Sequence, residues 1–228
     1  MSRAAAQSGI PVTETPFPMR GEITSGWHAT ITKIRTSDPF VALTFDDGPH
    51  PTLTPLLLDI LAERNAKATF YVVGRAVAYS PHIVRRMVDE GHEVGNHSWS
   101  HPVLSGWSQA GILQEIDRTN QAVFDAAGIT PRTFRPPFGA FEFYQRLNLI
   151  RDRNMPTVLW SVDPEDWRRP GQQYITNFIL SRSNSGSIVL THDIHGPSVR
   201  SVSATLTGLI KLGYEFRTVS QLAQISLT

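Results

Sequence analysis

Hydrophobic and polar positions follow two alternating periods along most of the chain. Short apolar runs, such as residues 41–45 and 68–73, are typical of buried β-strands. The segment between them, residues 54–64, carries its apolar side chains at helical spacing, and Pro55 suits a first helical turn. This alternation predicts a parallel sheet whose strands are joined by helices.

The same pattern continues to the C-terminus and predicts about seven strands. We expect strands at residues 41–45, 68–73, around Val94, 133–135, 157–162, 188–190 and 214–219. We expect helices at residues 54–64, 80–90, 108–127, 144–154, 174–183, 199–212 and from Ser220 onward. So many β/α units favour an α/β fold in which the sheet forms a closed or nearly closed barrel.

Residues 1–38 lack this pattern. They are rich in Pro, Thr, Ser and Gly, and we interpret them as an arm or cap that wraps one folded domain at residues 39–228. The first residues lack the apolar core of a secretion signal. Two alternatives stay open at this point: a cytoplasmic protein, or an exported protein whose signal has been removed.

Composition narrows the chemistry that the chain can carry. The formal net charge is +1, which gives no electrostatic reason to expect a nucleic acid or an anionic membrane surface as a partner. No apolar run is long enough to span a bilayer. The chain has no cysteine, so disulfides and thiolate zinc sites are excluded, and any metal would have to use histidine and carboxylate ligands.

Polar side chains stand at the ends of the predicted strands, where (β/α) barrels carry their chemistry. They are Asp46 and Asp47 after the first strand, His97 after the third, Arg135 at the end of the fourth, Asp163 after the fifth and His192 at the end of the sixth. Polar sites at five equivalent ends are hard to explain as surface decoration. They predict one active site at this end of the sheet.

The pair Asp46–Asp47 and the histidines at 97 and 101 suggest a metal site. Alone, the aspartates would more readily form a polar turn with the Gly-Pro that follows, and the histidines could be a chance pair. On a helical turn, however, His97 and His101 would present both rings to one metal. With Asp47 they form a two-histidine, one-carboxylate set suited to zinc or another borderline divalent metal, which leaves Asp46 free as a base.

His192 and Arg135 fit roles around such a metal. A histidine at a strand end can be structural, but the position of His192 opposite the proposed metal favours a general acid. Arg135 is placed for a bidentate contact to a carboxylate base, and the Pro-Pro-Phe-Gly after it could aim a backbone N–H at an oxyanion. His50 is a candidate for a contact behind the metal, and we interpret His195 as structural or as a minor substrate contact.

Five motifs carry a resemblance to a known family. They are TFDDGPH at 44–50, HSWSH at 97–101, RPPFG at 135–139, DPEDW at 163–167 and IVLTH at 188–192. In these motifs and their order the chain resembles the polysaccharide deacetylases of carbohydrate esterase family 4, the NodB-homology domain, over roughly residues 39–225. The resemblance implies a distorted, incomplete (β/α) barrel. It also implies hydrolysis of N-acetyl groups from an N-acetylglucosamine-containing polysaccharide, peptidoglycan or chitin, with release of acetate.

The resemblance assigns catalytic roles residue by residue. It implies that Asp46 is the general base and that Arg135 tethers and tunes it. It implies that His192 is the general acid and that Asp166 orients it and raises its pKa. Asp163 leaves the choice of aspartate within the fourth motif slightly open.

The resemblance also implies a metal and a substrate pocket. The implied ligands of one divalent metal, most simply zinc with cobalt or nickel as alternatives, are Asp47, His97 and His101. The backbone N–H of Phe138 is the implied second oxyanion contact, and Phe138 stands where the family often has Tyr. Trp167 and Leu190 are the implied walls of a pocket for the acetyl methyl group.

Other functions stay open in the sequence. An acetyl-xylan esterase would use the same residues on an ester, a hydrolase of small cyclic amides is a third relative, and a binding module without catalysis would have a broken ligand set. The intact Asp46 and His192 favour deacetylation.

We expect a polysaccharide or oligosaccharide as substrate, no nucleic acid, no membrane span and a monomer. We expect a secreted or cell-envelope location, because members of the family that the chain resembles are commonly exported and because the chain lacks cysteine. The cytoplasm is the alternative.

Overall fold

The computed structural model describes residues 30–225, in which parallel strands alternate with helices. The strands are β1 (Thr30–Ile31), β2 (Phe40–Asp46), β3 (Thr69–Val72), β4 (Glu93–Asn96), β5 (Thr157–Val158), β6 (Ile188–His192) and β7 (Glu215–Phe216). The helices are α1 (Leu53–Ala62), α2 (Gly74–Tyr79), α3 (Pro81–Asp89), α4 (Gln109–Ala127), α5 (Phe143–Arg153), α6 (Gln172–Arg182), α7 (Gly196–Lys211) and α8 (Val219–Ile225). The predicted α/β fold with parallel strands is confirmed.

Strand β2 lies in the middle of the sheet and positions much of the chemistry. It pairs in parallel with β3 and β6, so that Asp46 at its end lies beside Tyr71 on one side and His192 on the other. Side chains alternate across a strand, and Phe45 packs into the main hydrophobic core. Thr44 and Asp46 therefore point to the opposite face of the sheet.

Regular strand pairing does not run all the way around the sheet. Residues 133–135, predicted as a strand, contribute only single-residue bridges at Phe134, and Val162 joins β6 in the same way. The barrel is therefore not closed, and the predicted count of seven strands is not confirmed. Pro131 and Pro136 flank the missing strand, and proline has no N–H to donate to a ladder.

The helices cover the outer face of the sheet, with α6 against α7, α1 against α7 and α3 against α4. Helix α4 shows why the sequence predicts its bounds well. The side chain of Ser108 accepts a hydrogen bond from the N–H of Gly111 at its start, and Gly128 takes a left-handed conformation at its end. The short helix α2 was not predicted, because its six residues are too few to show a helical period.

Most of the predicted arm, residues 1–29, lies outside the described residues. Its last part is described: Thr30 and Ile31 form β1 and pair with Thr157 and Val158 of β5. Among the helices between residues 30 and 225, none combines the length and the apolar character that a membrane crossing requires.

Candidate active site

Three side chains that could bind a metal converge at the carboxyl ends of β2 and β4. Nε2 of His101 lies 3.1 Å from Oδ1 of Asp47, and Nε2 of His97 lies 3.5 Å from the same oxygen. One donor atom from each residue lies within 4.8 Å of the other two. The structure thus brings together all three residues that the sequence suggests as ligands.

The donor atoms of this cluster fit a divalent cation. Nδ1 of His97 lies 2.7 Å from the carbonyl oxygen of Arg135. A carbonyl oxygen can only accept, so Nδ1 carries the proton and Nε2 presents a lone pair to the cluster. Oδ1 of Asp47 is buried and faces Nε2 of both histidines. Two imidazole nitrogens and one carboxylate oxygen are donors that zinc accepts, with coordination positions left over.

The charge of Asp47 suits a metal ligand, which must be deprotonated. Burial on its own would raise the pKa of this carboxyl. When the rings of His101 and His97 are protonated, their contacts outweigh burial and hold the pKa of Asp47 well below its ordinary value. The carboxylate is therefore negatively charged throughout the physiological pH range.

The two histidines lie on an irregular turn that follows β4, not on the helical turn that the spacing suggested. Ser98 and His101 have φ angles of 66° and 58°, in the left-handed region. Their rings nevertheless meet, with centroids 5.0 Å apart. The expected conformation was wrong, but the expected proximity of His97 and His101 is present.

Asp46 lies beside the cluster and is held by an arginine. Nη1 of Arg135 donates to Oδ1 of Asp46 and to Oγ1 of Thr44, each at 2.7 Å. Nε and Nη2 donate instead to two main-chain carbonyls at 3.2 and 3.0 Å. The contact therefore uses one nitrogen, and the expected bidentate contact is not formed. Oδ2 of Asp46 makes no contact with the arginine and lies 3.7 Å from Nε2 of His97.

The guanidinium of Arg135 is completely buried under an aromatic ring. Its Cζ lies 4.1 Å from the ring centroid of Tyr71 and 5.7 Å from that of Trp160. Burying this charge is costly, and its hydrogen bonds, the ion pair with Asp46 and the ring of Tyr71 offset the cost. Sequence reasoning missed Tyr71 and Trp160, because only the fold brings them to the arginine.

His192 stands across the strand pair from Asp46 and is bound to a buried carboxylate. Nδ1 of His192 lies 2.7 Å from Oδ1 of Asp166, and the backbone N–H of His192 donates to Oδ2 at 2.9 Å. Burial on its own would lower the pKa of His192. The hydrogen bond and charge of Asp166, helped by Asp46 and Asp47, outweigh it and raise the pKa to about 9. At neutral pH this histidine is a protonated imidazolium.

A polysaccharide deacetylase family model matches residues 33–155. These residues include Asp46, Asp47, both histidines of the metal cluster and Arg135. The chain belongs to the polysaccharide deacetylase family. The family predicted from the five sequence motifs is thereby confirmed.

The similar proteins bear related names. A peptidoglycan-N-acetylglucosamine deacetylase, PgdA, of Listeria monocytogenes is 43% identical over 182 residues, which are 80% of this chain and 38% of that protein. A chitooligosaccharide deacetylase of Bradyrhizobium is 38% identical over 197 residues, covering 80% of this chain and 90% of that one. The solved structure of the peptidoglycan deacetylase PdaC from Bacillus subtilis matches with a TM-score of 0.78 at 38% identity, over 83% and 92% of the two chains. The chain thus spans well under half the length of the Listeria relative.

The remaining residues that the deacetylase resemblance singled out lie around this centre. Phe138 has a φ of 59° within a 3₁₀ turn (Pro137–Gly139), and its exposed ring contacts that of His101 at 4.7 Å between centroids. Trp167 is half exposed on the turn Asp166–Arg168. Leu190 is buried in β6, two residues before His192 and therefore on the same face of the strand.

Two polar residues at the edge of this centre, His50 and Asp163, serve the local backbone, and a third, His195, lies beside His192. Nδ1 of His50 accepts from the N–H of Leu53 at 3.2 Å, so this ring holds the start of α1. Oδ1 of Asp163 accepts from the N–H of Glu165 at 2.8 Å, which leaves Asp166 as the partner of the general-acid candidate. His195 lies at the start of α7, with its ring centroid 5.9 Å from that of His192.

Asp193 is a buried carboxyl that sequence reasoning missed. It accepts a hydrogen bond from the hydroxyl of Thr54, and burial raises its pKa to about 7. A Cβ atom on Gly48 would overlap its carboxyl oxygens. The glycine of the first motif is therefore needed to let Asp193, directly after the last motif, pack against the loop that carries Asp47.

Proposed function

We propose that the protein is a metal-dependent hydrolase that removes N-acetyl groups from an N-acetylglucosamine-containing polysaccharide and releases acetate. Peptidoglycan and chitin or its oligosaccharides are the substrates we consider. One observation carries the proposal: Asp46 and His192 are paired residues of β2 and β6, one held by Arg135 and the other by Asp166, beside a cluster of three potential metal ligands. The names of the similar proteins support the substrate class.

Asp47, His97 and His101 would hold one divalent ion, with zinc, cobalt and nickel as candidates. When bound, such an ion polarises a carbonyl and lowers the pKa of water. The oxygen and two nitrogens already face one another in the chain, as the distances of 3.1 and 3.5 Å to Oδ1 of Asp47 show. Little rearrangement would be needed to bind the ion.

Asp46 would act as the general base that takes a proton from the attacking water. Its Oδ1 is engaged by Arg135, so Oδ2 is the oxygen available for the proton. The arginine keeps the carboxylate oriented and offsets the cost of its burial. The backbone N–H of Phe138, on a turn held by two prolines, would donate to the oxygen that gains negative charge during the attack.

His192 would then protonate the amine nitrogen as it leaves. An amine is a poor leaving group without a proton, so an acid is chemically required. A pKa of about 9 keeps this histidine charged at neutral pH. Trp167 and Leu190 would enclose the methyl of the acetyl group on the same side of the site, which would favour a short acyl chain.

The test is acetate release from chitooligosaccharides, peptidoglycan and acetyl-xylan by zinc-loaded protein, with and without a chelator. We expect chelator-sensitive release from the amino-sugar polymers. Release only from acetyl-xylan would replace the proposal with an esterase, and no release from any of them would favour the small-amide or binding-module alternatives.

Two variants test the assigned roles. We expect Asp46→Asn to lose turnover and to retain bound metal, because Asp47 and both histidines remain. Loss of the metal instead would mean that the roles of Asp46 and Asp47 are exchanged.

We expect His192→Ala to keep its metal content and to lose most amide cleavage, whereas unchanged turnover would exclude His192 as the acid.

We further propose that the substrate polymer places the protein in the cell envelope or outside the cell. Support comes from the peptidoglycan deacetylases among the similar proteins. The monomeric state stays a prediction, which the hydrodynamic size of the purified protein would test.

A further inference from the structure

The turn between the two candidate metal ligands is held in an unfavourable backbone conformation. Ser98 and His101 both adopt a left-handed φ, at 66° and 58°, without being glycine. Such conformations cost free energy for side chains with a Cβ and persist only where neighbouring contacts hold them. His101 reaches Asp47 from this conformation, so whatever holds the turn also places the ligand.

Glu115, on helix α4, accepts hydrogen bonds from two neighbouring N–H groups of the turn. Its Oε2 accepts from the N–H of Trp99 at 3.0 Å and from the N–H of Ser100 at 2.8 Å. The hydroxyl of Ser100 lies 3.0 and 3.1 Å from its two carboxylate oxygens. One half-buried side chain thus satisfies two backbone donors and one hydroxyl donor of the five-residue turn.

The other side of the turn is held by main-chain donors of α2. The N–H of Gly74 donates to the carbonyl of Ser98 at 2.9 Å, and the N–H of Arg75 donates to that of Trp99 at 3.1 Å. The side chain of Asn96, at the end of β4, accepts from the N–H of Ser98 at 2.8 Å. Among the described residues, Asn96 and Glu115 are the two whose side chains, from outside the turn, accept from its N–H groups.

We infer that Glu115 is a positioning residue that sets the metal affinity of the site by holding the turn that carries His97 and His101. The inference rests on the proposed metal-dependent function. Without this carboxylate, two backbone donors lose their acceptor, and the turn can relax toward ordinary φ angles. Nε2 of His101 would then move away from Oδ1 of Asp47.

The experiment measures the zinc dissociation constant by competition with a chromophoric chelator. It compares the wild type, Glu115→Ala and a control, Asp125→Ala, which removes an exposed carboxylate from the same helix. The alanine removes Oε2, the oxygen that accepts from both backbone N–H groups, and it suits the interior of a helix. We expect Glu115→Ala to bind zinc about 10- to 100-fold more weakly, the usual effect of losing a residue that supports a metal ligand. The control should bind as the wild type does.

Two further measurements separate the possible outcomes. At saturating zinc we expect Glu115→Ala to recover turnover, because Glu115 holds the turn that carries a ligand and touches no reacting atom, whereas Asp46→Asn should stay inactive. If Glu115→Ala does not fold, Ser100→Ala removes only the hydroxyl donor and should weaken zinc binding by a smaller factor. Wild-type affinity in folded Glu115→Ala, or in Ser100→Ala where that variant replaces it, overturns the inference. Failure of the wild type to bind zinc overturns the proposed metal site itself.

Discussion

At the scale of single residues, the charge of His192 depends mainly on one partner. Asp166 is completely buried and gives both of its oxygens to this histidine. Burial favours the neutral ring, and the carboxylate reverses that preference. The acid form that the proposed mechanism requires for amine departure therefore exists at neutral pH because of this pair.

We predict that Asp166→Asn moves the basic limb of the pH profile of kcat/KM to lower pH. In the proposed mechanism the protonated ring of His192 is the active form, and its pKa is raised to about 9. Without the carboxylate, burial lowers the pKa, so the proton is lost and activity falls at a lower pH. Rates measured with a soluble chitooligosaccharide between pH 6 and pH 10 would show the shift. An unmoved basic limb would exclude His192 as the titrating acid.

The sequence predicts the candidate site residues better than it predicts the residues that hold them in place. Asp46, Asp47, His97 and His192 stand out because carboxylates and imidazoles follow buried strands, a pattern visible in the chain itself. Tyr71 over Arg135 carries no such signal, since an aromatic residue in an apolar run is typical of any core. Glu115 likewise carries no signal in the sequence, because it resembles every other charged residue on a helix.

At the scale of helices and strands, the residues at the ends of each element explain which of its predicted bounds agree with the structure. Helix α4 has a serine cap and a terminating glycine, and the predicted bounds agree with the structure. The segment at 133–135 has the residues of a strand, but the prolines around it leave only single bridges at Phe134. Residue type alone therefore overestimates pairing wherever the backbone lacks donors.

A pair of glycine substitutions tests the packing of the segment that leads into β2. Gly186 and Gly213 both have positive φ, but a Cβ on Gly186 would overlap the carbonyl of Ile34, whereas a Cβ on Gly213 meets open space. We predict that Gly213→Ala costs about 1–2 kcal/mol of stability, from backbone strain alone. Gly186→Ala should cost about 1–3 kcal/mol more, because the backbone must also move. Urea unfolding measures both, and equal losses would contradict the packing described here.

At the scale of the whole molecule, the candidate metal site links distant parts of the chain, from Asp47 after β2 to His101 after β4. A metal that binds only this folded arrangement stabilises the whole domain. We predict that zinc at 100 times its dissociation constant adds about 2.7 kcal/mol to the free energy of unfolding. For a domain of this size the melting temperature should then rise by roughly 5–10 °C.

Thermal unfolding with zinc and with excess chelator measures this rise. The double variant His97→Ala and His101→Ala serves as the control and should show none. An equal rise in the control would place the bound zinc elsewhere on the molecule.

The order of the motifs along the chain predicts which side chains meet in the site better than any single helix or strand does. Parallel strands place their carboxyl ends at one edge, so Asp46 and His192 come together although they are far apart in the chain. The sequence does not predict that the barrel stays open. Closure would need regular pairing by segments that have the residues of strands, but these segments form only single-residue bridges.

The pairing of Asp46 with His192 also limits how the protein could change its substrate. Their backbones are partners across one rung of the β2–β6 ladder, so hydrogen bonding keeps them about 4.8 Å apart. Evolution cannot widen this gap without breaking the central strand pair. If the proposed roles hold, acceptance of longer acyl groups would have to arise in the loops that carry Phe138 and Trp167, and the distance between the proposed base and acid would stay the same while specificity diverges.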